Sequence, residues 1–549
     1  MAIRKLLLLL KPIDLYPFLE TDGVSLIKNP QVLQYLESRC EVHRNAINFC
    51  QEILSKKPVE WKPISRNDLS HPIRDVDMVI TVGGDGTLLH ASHFIDDSVP
   101  VLGVNSDPTQ AHEVEELSDQ FDASRSTGHL CAATVENFEQ VLDDILFGRV
   151  VPSRVSRISV KLNSEPLLSH ALNDVLIAHP CPAAVSKFSF KIKNKDGDTS
   201  PKTVNCRSSG LRVCTAAGST AAMLSAGGYV MPMLSPDLQR NLLKQLEGLM
   251  EEKMVSRSSK NPQVLQYLES RCEVHRNAIN FCQEILSKKP VEWKPISRND
   301  LSHPIRDVDM VITVGGDGTL LHASHFIDDS VPVLGVNSDP TQAHEVEELS
   351  DQFDASRSTG HLCAATVENF EQVLDDILFG RVVPSRVSRI SVKLNSEPLL
   401  SHALNDVLIA HPCPAAVSKF SFKIKNKDGD TSPKTVNCRS SGLRVCTAAG
   451  STAAMLSAGG YVMPMLSPDL QFMVREPISP GSTLAQMHSA FKPGQSLDVN
   501  WYSDHGTIYI DGCQVNYNVQ LGDTIEISSH APVLNVFLSQ GFTQIRSRY

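Results

Sequence analysis

The chain lacks an excess of positive charge, cysteines at metal-binding spacing and any long apolar run, and each absence removes a class of function. Its 51 Lys and Arg stand against 62 Asp and Glu, a net charge of −11. Nucleic-acid binders carry a global basic field, so no nucleic-acid partner is expected and an anionic ligand must be held by local donors. None of the thirteen cysteines stands in a Cys-x-x-Cys pair. An odd count without that spacing reads as reduced thiols rather than a disulfide framework or zinc site, and no metal-ligating residue is assigned. The run Leu6 to Leu10 stops at Lys11-Pro12, short of the roughly 7 to 15 apolar residues of a secretory h-region. No stretch reaches the roughly 18 apolar residues of a membrane span, so no membrane partner is expected. Ile3 to Leu10 is expected to form a buried strand.

What is present is dominated by a repetition. Lys28 to Gln239 recurs without a difference as Lys260 to Gln471, 212 residues at a constant offset of 232. Solenoid periods are roughly 20 to 50 residues, so this is no solenoid. Surface loops tolerate change, and identity even there marks a recent duplication or a fused gene model of a 317-residue parent. Within copy one, Val32 to Leu54 is spaced as an amphipathic helix and Val76 to Val82 as a strand buried on both faces. Thr87 to Phe94 continues as a helix, followed by a strand at Val99 to Val104 and a helix at Val135 to Phe147, the alternation of a parallel α/β sheet.

After Pro152 the pattern turns to β-type runs at Val155 to Leu162, Leu172 to Ala178 and Ser186 to Ile192. Further such runs, at Thr507 to Ile510, Thr524 to Ser528 and Val533 to Phe537, follow only the second copy. Five regions are therefore expected. They are an α/β domain at 1–150, a truncated β domain at 151–239, a linker helix at 240–259 built on Asn241 to Met254, an α/β domain lacking its first strand at 260–382, and a complete β domain at 383–549. The fold class is α/β plus all-β, largely present twice.

The chemistry centres on Val-Ile-Thr-Val-Gly-Gly-Asp-Gly-Thr, which ends in Gly83, Gly84, Asp85, Gly86 and Thr87 and again in Gly315, Gly316, Asp317, Gly318 and Thr319. A strand running through glycines into a helix aims backbone N–H groups and the positive helix end at one point, a phosphate site. The aspartate beside that anion can accept a proton from an attacking hydroxyl or hold a Mg²⁺-bound network. The motif is neither Gly-x-Gly-x-x-Gly nor a P-loop with its lysine, which disfavours hydride transfer and P-loop hydrolysis.

These residues resemble the NAD kinase family, in which the glycines hold the nucleotide triphosphate and the aspartate activates the ribose 2′-hydroxyl. Ala171-Leu172-Asn173-Asp174 is similar to that family's Asn-Glu motif, and Gly210 to Ala221 with Ser225-Ala226-Gly227-Gly228 is similar to its glycine-rich pocket segment. Gly506 to Asp511 and Leu521-Gly522-Asp523 resemble its closing strands. The resemblance implies a Rossmann-like parallel sheet domain followed by a β-sandwich domain, with ATP and Mg²⁺ as cofactors and NADH or NAD⁺ as substrate. It implies phosphorylation of the adenosine 2′-hydroxyl, small-molecule nucleotides as partners and a homo-oligomer, a dimer in the parent. Asp85 and Asp317 become the catalytic residues and the adjacent glycines and threonines the ATP site. The dinucleotide site then comprises Asn173, Asp174, Thr215, Gly218, Ser219, Thr220, Ala221 and Ser225, and in copy two Asn405, Asp406, Thr447, Gly450, Ser451, Thr452, Ala453 and Ser457.

Departures from the family pattern lie on the dinucleotide side. Ser208-Ser209-Gly210 replaces Gly-Asp-Gly and removes a carboxylate; Ala222 replaces a tyrosine; Asn105-Ser106-Asp107-Pro108 replaces an asparagine-glycine segment. They imply a shift toward NADH over NAD⁺. Plainer readings stand beside these. Asn173-Asp174 also suits a turn, and Gly218-Ser219-Thr220 a capped helix start. His90 and His93 suit a helix surface, and Phe188 and Phe190 a sheet core. A lipid kinase sharing Gly-Gly-Asp-Gly and a non-catalytic duplication product are the rival functions. Ser547-Arg548-Tyr549 resembles a degenerate Ser-Lys-Leu address, implying the peroxisomal matrix, with cytosol as the alternative.

Overall fold

A computed structural model describes residues 3–13, 30–116, 123, 128–192, 204–244, 262–349, 360–426, 435–478 and 484–539. In copy one, five parallel strands run in the order Glu60–Ser65, Lys5–Leu10, Met78–Gly83, Val101–Asn105 and Ala133–Thr134. Successive strand residues point to opposite faces. Leu6 and Leu8 accordingly pack with Cys50, Leu54, Phe138 and Leu142 of the helices Pro30–Ser55 and Phe138–Leu146, whereas Leu9 packs with Val79, Ala91 and Ile95 on the other side. Two covered faces explain why Lys5–Leu10 and Met78–Gly83 are continuously apolar.

The strand Lys5–Leu10 occurs once, and it pairs in copy one only. Copy two's Val311–Gly315 therefore forms a sheet edge, and residues 292–297, the counterpart of the strand Glu60–Ser65 in copy one, form none. Met78, Val79 and Ile80 are at most 2 % exposed; their counterparts Met310, Val311 and Ile312 are only partly buried. Because Lys5–Leu10 is central in its sheet, Leu8→Ala is expected to lower the stability of copy one's α/β domain by about 2–5 kcal/mol, read as an earlier denaturant midpoint.

The second sheet instead recruits Leu534–Phe537, parallel to Val333–Asn337 and antiparallel to Ser385–Val387. This corrects the expectation that Val533 to Phe537 belongs to the β domain. Leu534 and Val536 bury against Leu320, Leu321 and Val387. The Arg389 guanidinium donates to the carbonyls of Pro532 at 2.6 Å and Val533 at 3.3 Å, tying the returning chain down. An apolar run of four residues does not itself select between two sheets.

Copy two's β domain is a sandwich of two six-stranded antiparallel sheets. Phe420, Phe422, Phe472, Trp501, Ile508 and Ile527 fill its interior, so the alternating pair is core in copy two, whereas Phe188 and Phe190 in copy one are only partly buried. In copy one the expected strand at Val155 to Leu162 shrinks to Lys161–Leu162, paired with Glu165–Pro166. The main sheet there holds Asp174–Ile177, Ser186–Phe190, Val204–Cys214 and Gln239–Lys244. The expected linker helix is thus a strand at its start, while 245–259 lies outside the described residues. Gln239 pairs with Cys214 in the register that Gln471 takes with Cys446; an available sheet edge outweighs helical spacing. With no second sheet over it, Ile177 is 54 % exposed against 0 % for Ile409. Copy two covers part of this half. Cys181 and Ala183 pack on Leu408, Ala410 and Tyr509, and Arg475 Nη2 donates to Ser209 Oγ at 3.2 Å.

Candidate active site

Each Gly-Gly-Asp-Gly turn joins a strand directly to an eight-residue helix, Asp85–Ser92 in copy one and Asp317–Ser324 in copy two. A Cβ on Gly83 would lie 2.3 Å from Thr87 Oγ1, and one on Gly315 would lie 2.2 Å from Thr319 Oγ1. The first glycine is thus required for the threonine to fold back onto the strand end. A Cβ on Gly86 would meet nothing within 4 Å, so that side of the helix start is open to a ligand. Gly84 and Gly316 precede the helices in extended conformation with no side-chain cap, and their carbonyls accept from the Thr87 and Thr319 N–H groups at 2.9 and 3.0 Å, which sets the positive helix end at the turn.

The aspartates have partners that the sequence did not reveal. Asp317 accepts from the backbone N–H groups of His361 at 3.0 Å and Leu362 at 2.9 Å, and from Cys363 Sγ at 3.6 Å. Asp85 repeats the pattern with His129, Leu130 and Cys131. These bonds reach across 44 to 46 residues, so no local spacing announces them. Burial, with the nearby Asp317, pushes the Cys363 thiol well above the ordinary range, making it an inert buried thiol. His90 lies against the Phe94 ring at 5.4 Å, in keeping with a packing role for that histidine.

On the acceptor side, Asp406 is paired with the buried Arg444, and Asp174 likewise with Arg212. Sequence reasoning missed both arginines, which lie on the neighbouring strand. Thr447 Oγ1 donates to the Leu404 carbonyl at 2.5 Å and Thr447 N–H to the Asn405 carbonyl at 3.0 Å. Gly450 is pressed against the same link: a Cβ there would sit 2.1 Å from the Asn405 oxygen. Ser451 Oγ donates to the Ala448 carbonyl and accepts from Met463 N–H, Thr452 Oγ1 donates to Ala449 and Ser457 Oγ to Ala453. These hydroxyls fix the segment's own backbone. The helix-cap alternative is not met, because Ala449–Thr452 and Ala217–Thr220 are short 3₁₀ turns without a side-chain cap.

The structure brings the motifs together in each copy. Leu320 and Leu321 of the helix after Gly-Gly-Asp-Gly share one core with Leu404, next to Asn405, and Ala449, next to Gly450. In copy one Leu88, Leu172 and Ala217 do the same. Among the described residues no group of three or more His, Cys, Asp or Glu side chains could hold a metal ion.

A glycine-rich anion turn on a parallel sheet, packed against a strand-end loop of a β-sandwich, defines a nucleotide-handling two-domain protein. Models of the ATP-NAD kinase N-terminal domain match residues 20–109 and 234–341, and that of the ATP-NAD kinase C-terminal domain matches 374–534. The chain belongs to the ATP-NAD kinase family. It is 90 % identical over 290 residues to an NADH kinase of Arabidopsis thaliana, covering 53 % of this chain and 92 % of that one. It is 58 % identical over 281 residues to a probable NADH kinase of Oryza sativa subsp. japonica, covering 51 % and 86 %. An NAD kinase from Archaeoglobus fulgidus in complex with ATP aligns with a TM-score of 0.38 at 22 % identity over 48 % of this chain and 90 % of that chain. Yeast NADH kinase complexed with NADH aligns with a TM-score of 0.34 at 18 % identity over 44 % of this chain and 62 % of that chain. None of these relatives favours the lipid-kinase alternative.

Proposed function

We propose that the chain transfers a phosphoryl group from ATP, as its Mg²⁺ complex, to the adenosine 2′-hydroxyl of NADH, and less readily of NAD⁺. The observation that carries this is the shared core of Leu320, Leu321, Leu404 and Ala449, which sets the phosphate turn beside the Asn405-Asp406 loop. The Gly315-Gly316-Asp317-Gly318 turn and the positive end of its helix hold the triphosphate, and Mg²⁺ arrives on the nucleotide. Asn405 and the Gly450 to Ser457 segment wall the dinucleotide. Asp317, held in place by the His361 and Leu362 N–H groups and the Cys363 thiol, orients the attacking hydroxyl and takes its proton. The reaction then relies mainly on positioning and charge neutralisation.

Ser441 and Ala454, the copy-two counterparts of Ser209 and Ala222, support an NADH preference. Without the family's carboxylate, the cationic nicotinamide of NAD⁺ loses an electrostatic partner while the neutral ring of NADH does not. We expect kcat/KM for NADH to exceed that for NAD⁺ by about tenfold, or about 1.4 kcal/mol of differential transition-state binding. Equal or reversed ratios would refute the preference. ATP-dependent formation of NADPH from NADH by the full chain tests the function itself, and its absence would favour the non-catalytic duplication product. The C-terminal tripeptide, outside the described residues, remains a proposed peroxisomal address, testable by import of a reporter ending in it. A homodimeric parent is likewise proposed, and sedimentation of the 317-residue form tests it.

A further inference from the structure

Asp511 ends the strand His505–Ile510 with φ 49°, in the left-handed region. Its side chain is shut off from solvent and gathers three consecutive backbone N–H groups: Leu404 at 2.8 Å, Asn405 at 2.7 Å and Asp406 at 2.9 Å. The Asp511 N–H returns to the Asp406 carbonyl at 2.9 Å. Converging N–H groups form a cradle for an anion, and here the chain's own carboxylate fills it. Thr447 and Gly450 close on the opposite side of the same link, so the loop is held from two directions.

We propose that Asp511 is a positioning residue of the dinucleotide site: ionised, it holds the Leu404–Asp406 backbone in the conformation that presents Asn405, and protonated, it releases it. This rests on the dinucleotide reading of that loop given above. Copy one supplies an internal comparison. Its Leu172-Asn173-Asp174 keeps the Thr215 bonds and the 2.1 Å approach of Gly218. The strand bearing Asp511 has no second copy, and among the described residues no carboxylate is bonded to the N–H groups of 172–174.

The surroundings make protonation accessible. Burial pushes Asp511 up to about 7; the three N–H bonds oppose that rise and the nearby Asp406 carboxylate adds to it. His325 Nε2 lies 3.6 Å from Asp511 Oδ2, and burial holds His325 down to about 4, neutral at working pH. Arg389 is the cation facing Asp511, while Arg444 is engaged by Asp406. A protonated carboxyl turns one oxygen into a donor that faces N–H groups, so part of the cradle fails. Fold and site then respond oppositely to acid. A carboxyl raised above its unfolded value contributes stability at low pH that is lost as pH rises through about 7, whereas the proposed grip on Asn405 is gained over that window. A residue acting through stability alone would move both together.

The test uses the full chain and its Asp511→Asn variant, with KM for NADH and ATP, NADH binding by fluorescence titration and thermal melts between pH 5.5 and about 8.5. Wild type should show KM for NADH rising about tenfold toward acid, the loss of one charge-assisted hydrogen bond, with KM for ATP flat. D511N should hold the high NADH value at every pH without losing its melt. A wild-type KM for NADH that is flat across the range overturns the proposal even if the variant fails to fold. So does a folded variant that keeps the wild-type profile. Absence of NADPH formation combined with acid-sensitive NADH binding would defeat the functional reading and leave this one standing.

Discussion

Replacing Asp317 with Asn should lower kcat for NADPH formation by about two to four orders of magnitude, while Asp85→Asn should leave most of the turnover. Both aspartates hold the same loop bonds in identical sequence, to His361 and Leu362 or to His129 and Leu130. Any purely structural cost of the substitution is therefore similar in the two variants, and the difference isolates chemistry. The carboxamide keeps one acceptor oxygen and turns a donor toward the other N–H, so a modest fall in thermal midpoint is expected in each. The asymmetry follows from the β-sandwich, which is complete only behind Asp317. Equal losses in kcat would show that copy one also turns over, and unfolding without a kinetic defect in the folded fraction would assign Asp317 to structure alone.

A second large effect is expected at Gly450. Its absent Cβ would lie 2.1 Å from the Asn405 carbonyl oxygen, far inside contact distance, and both atoms are backbone-fixed through Thr447 and Asp511. Gly450→Ala must displace the loop or the turn Ala449–Thr452, and it should abolish measurable NADH phosphorylation. Gly218→Ala meets the same 2.1 Å clash with Asn173 and should leave most activity, because copy one's pocket lacks the strands that close it. The pair is checked by NADPH formation at saturating ATP over a wide NADH range. A silent G450A would mean that the Asn405 link bears no substrate.

Much of this was legible in the sequence. Continuous apolar runs flanking the Gly-Gly-Asp-Gly turn gave away a parallel sheet, since strands covered on both faces read that way, and the turn joins strand to helix where its glycines stand. The three motif groups do converge. What stayed hidden is long-range. Asp511 meets Asn405 across 106 residues, and Arg444 meets Asp406 from an adjacent strand, by antiparallel registers that no local pattern encodes. Leu534–Phe537 was assigned to the wrong sheet because a short apolar strand carries no mark of its partner. Gln239–Lys244 was misread because leucines at helical spacing also suit an edge strand when one is offered. The hydroxyls of Ser451 and Ser457 also carry a structural task that spacing does not announce, donating to the carbonyls of Ala448 and Ala453 in their own segment.

The unequal burial of identical strands has a consequence for measurement. Met78–Gly83 is paired on both sides inside its sheet, whereas Val311–Gly315 has a neighbour on one side only. Amide exchange with deuterium follows local opening free energy, which is lower at an unpaired edge. A protease nevertheless releases the same peptide, of the same mass, from both places. Its isotope envelope should therefore split into a fast and a slow population in a homogeneous sample, a pattern ordinarily taken for slow cooperative unfolding. Here the two populations would keep equal weight at every labelling time under native conditions, because they record two addresses in one folded chain rather than two states of one address.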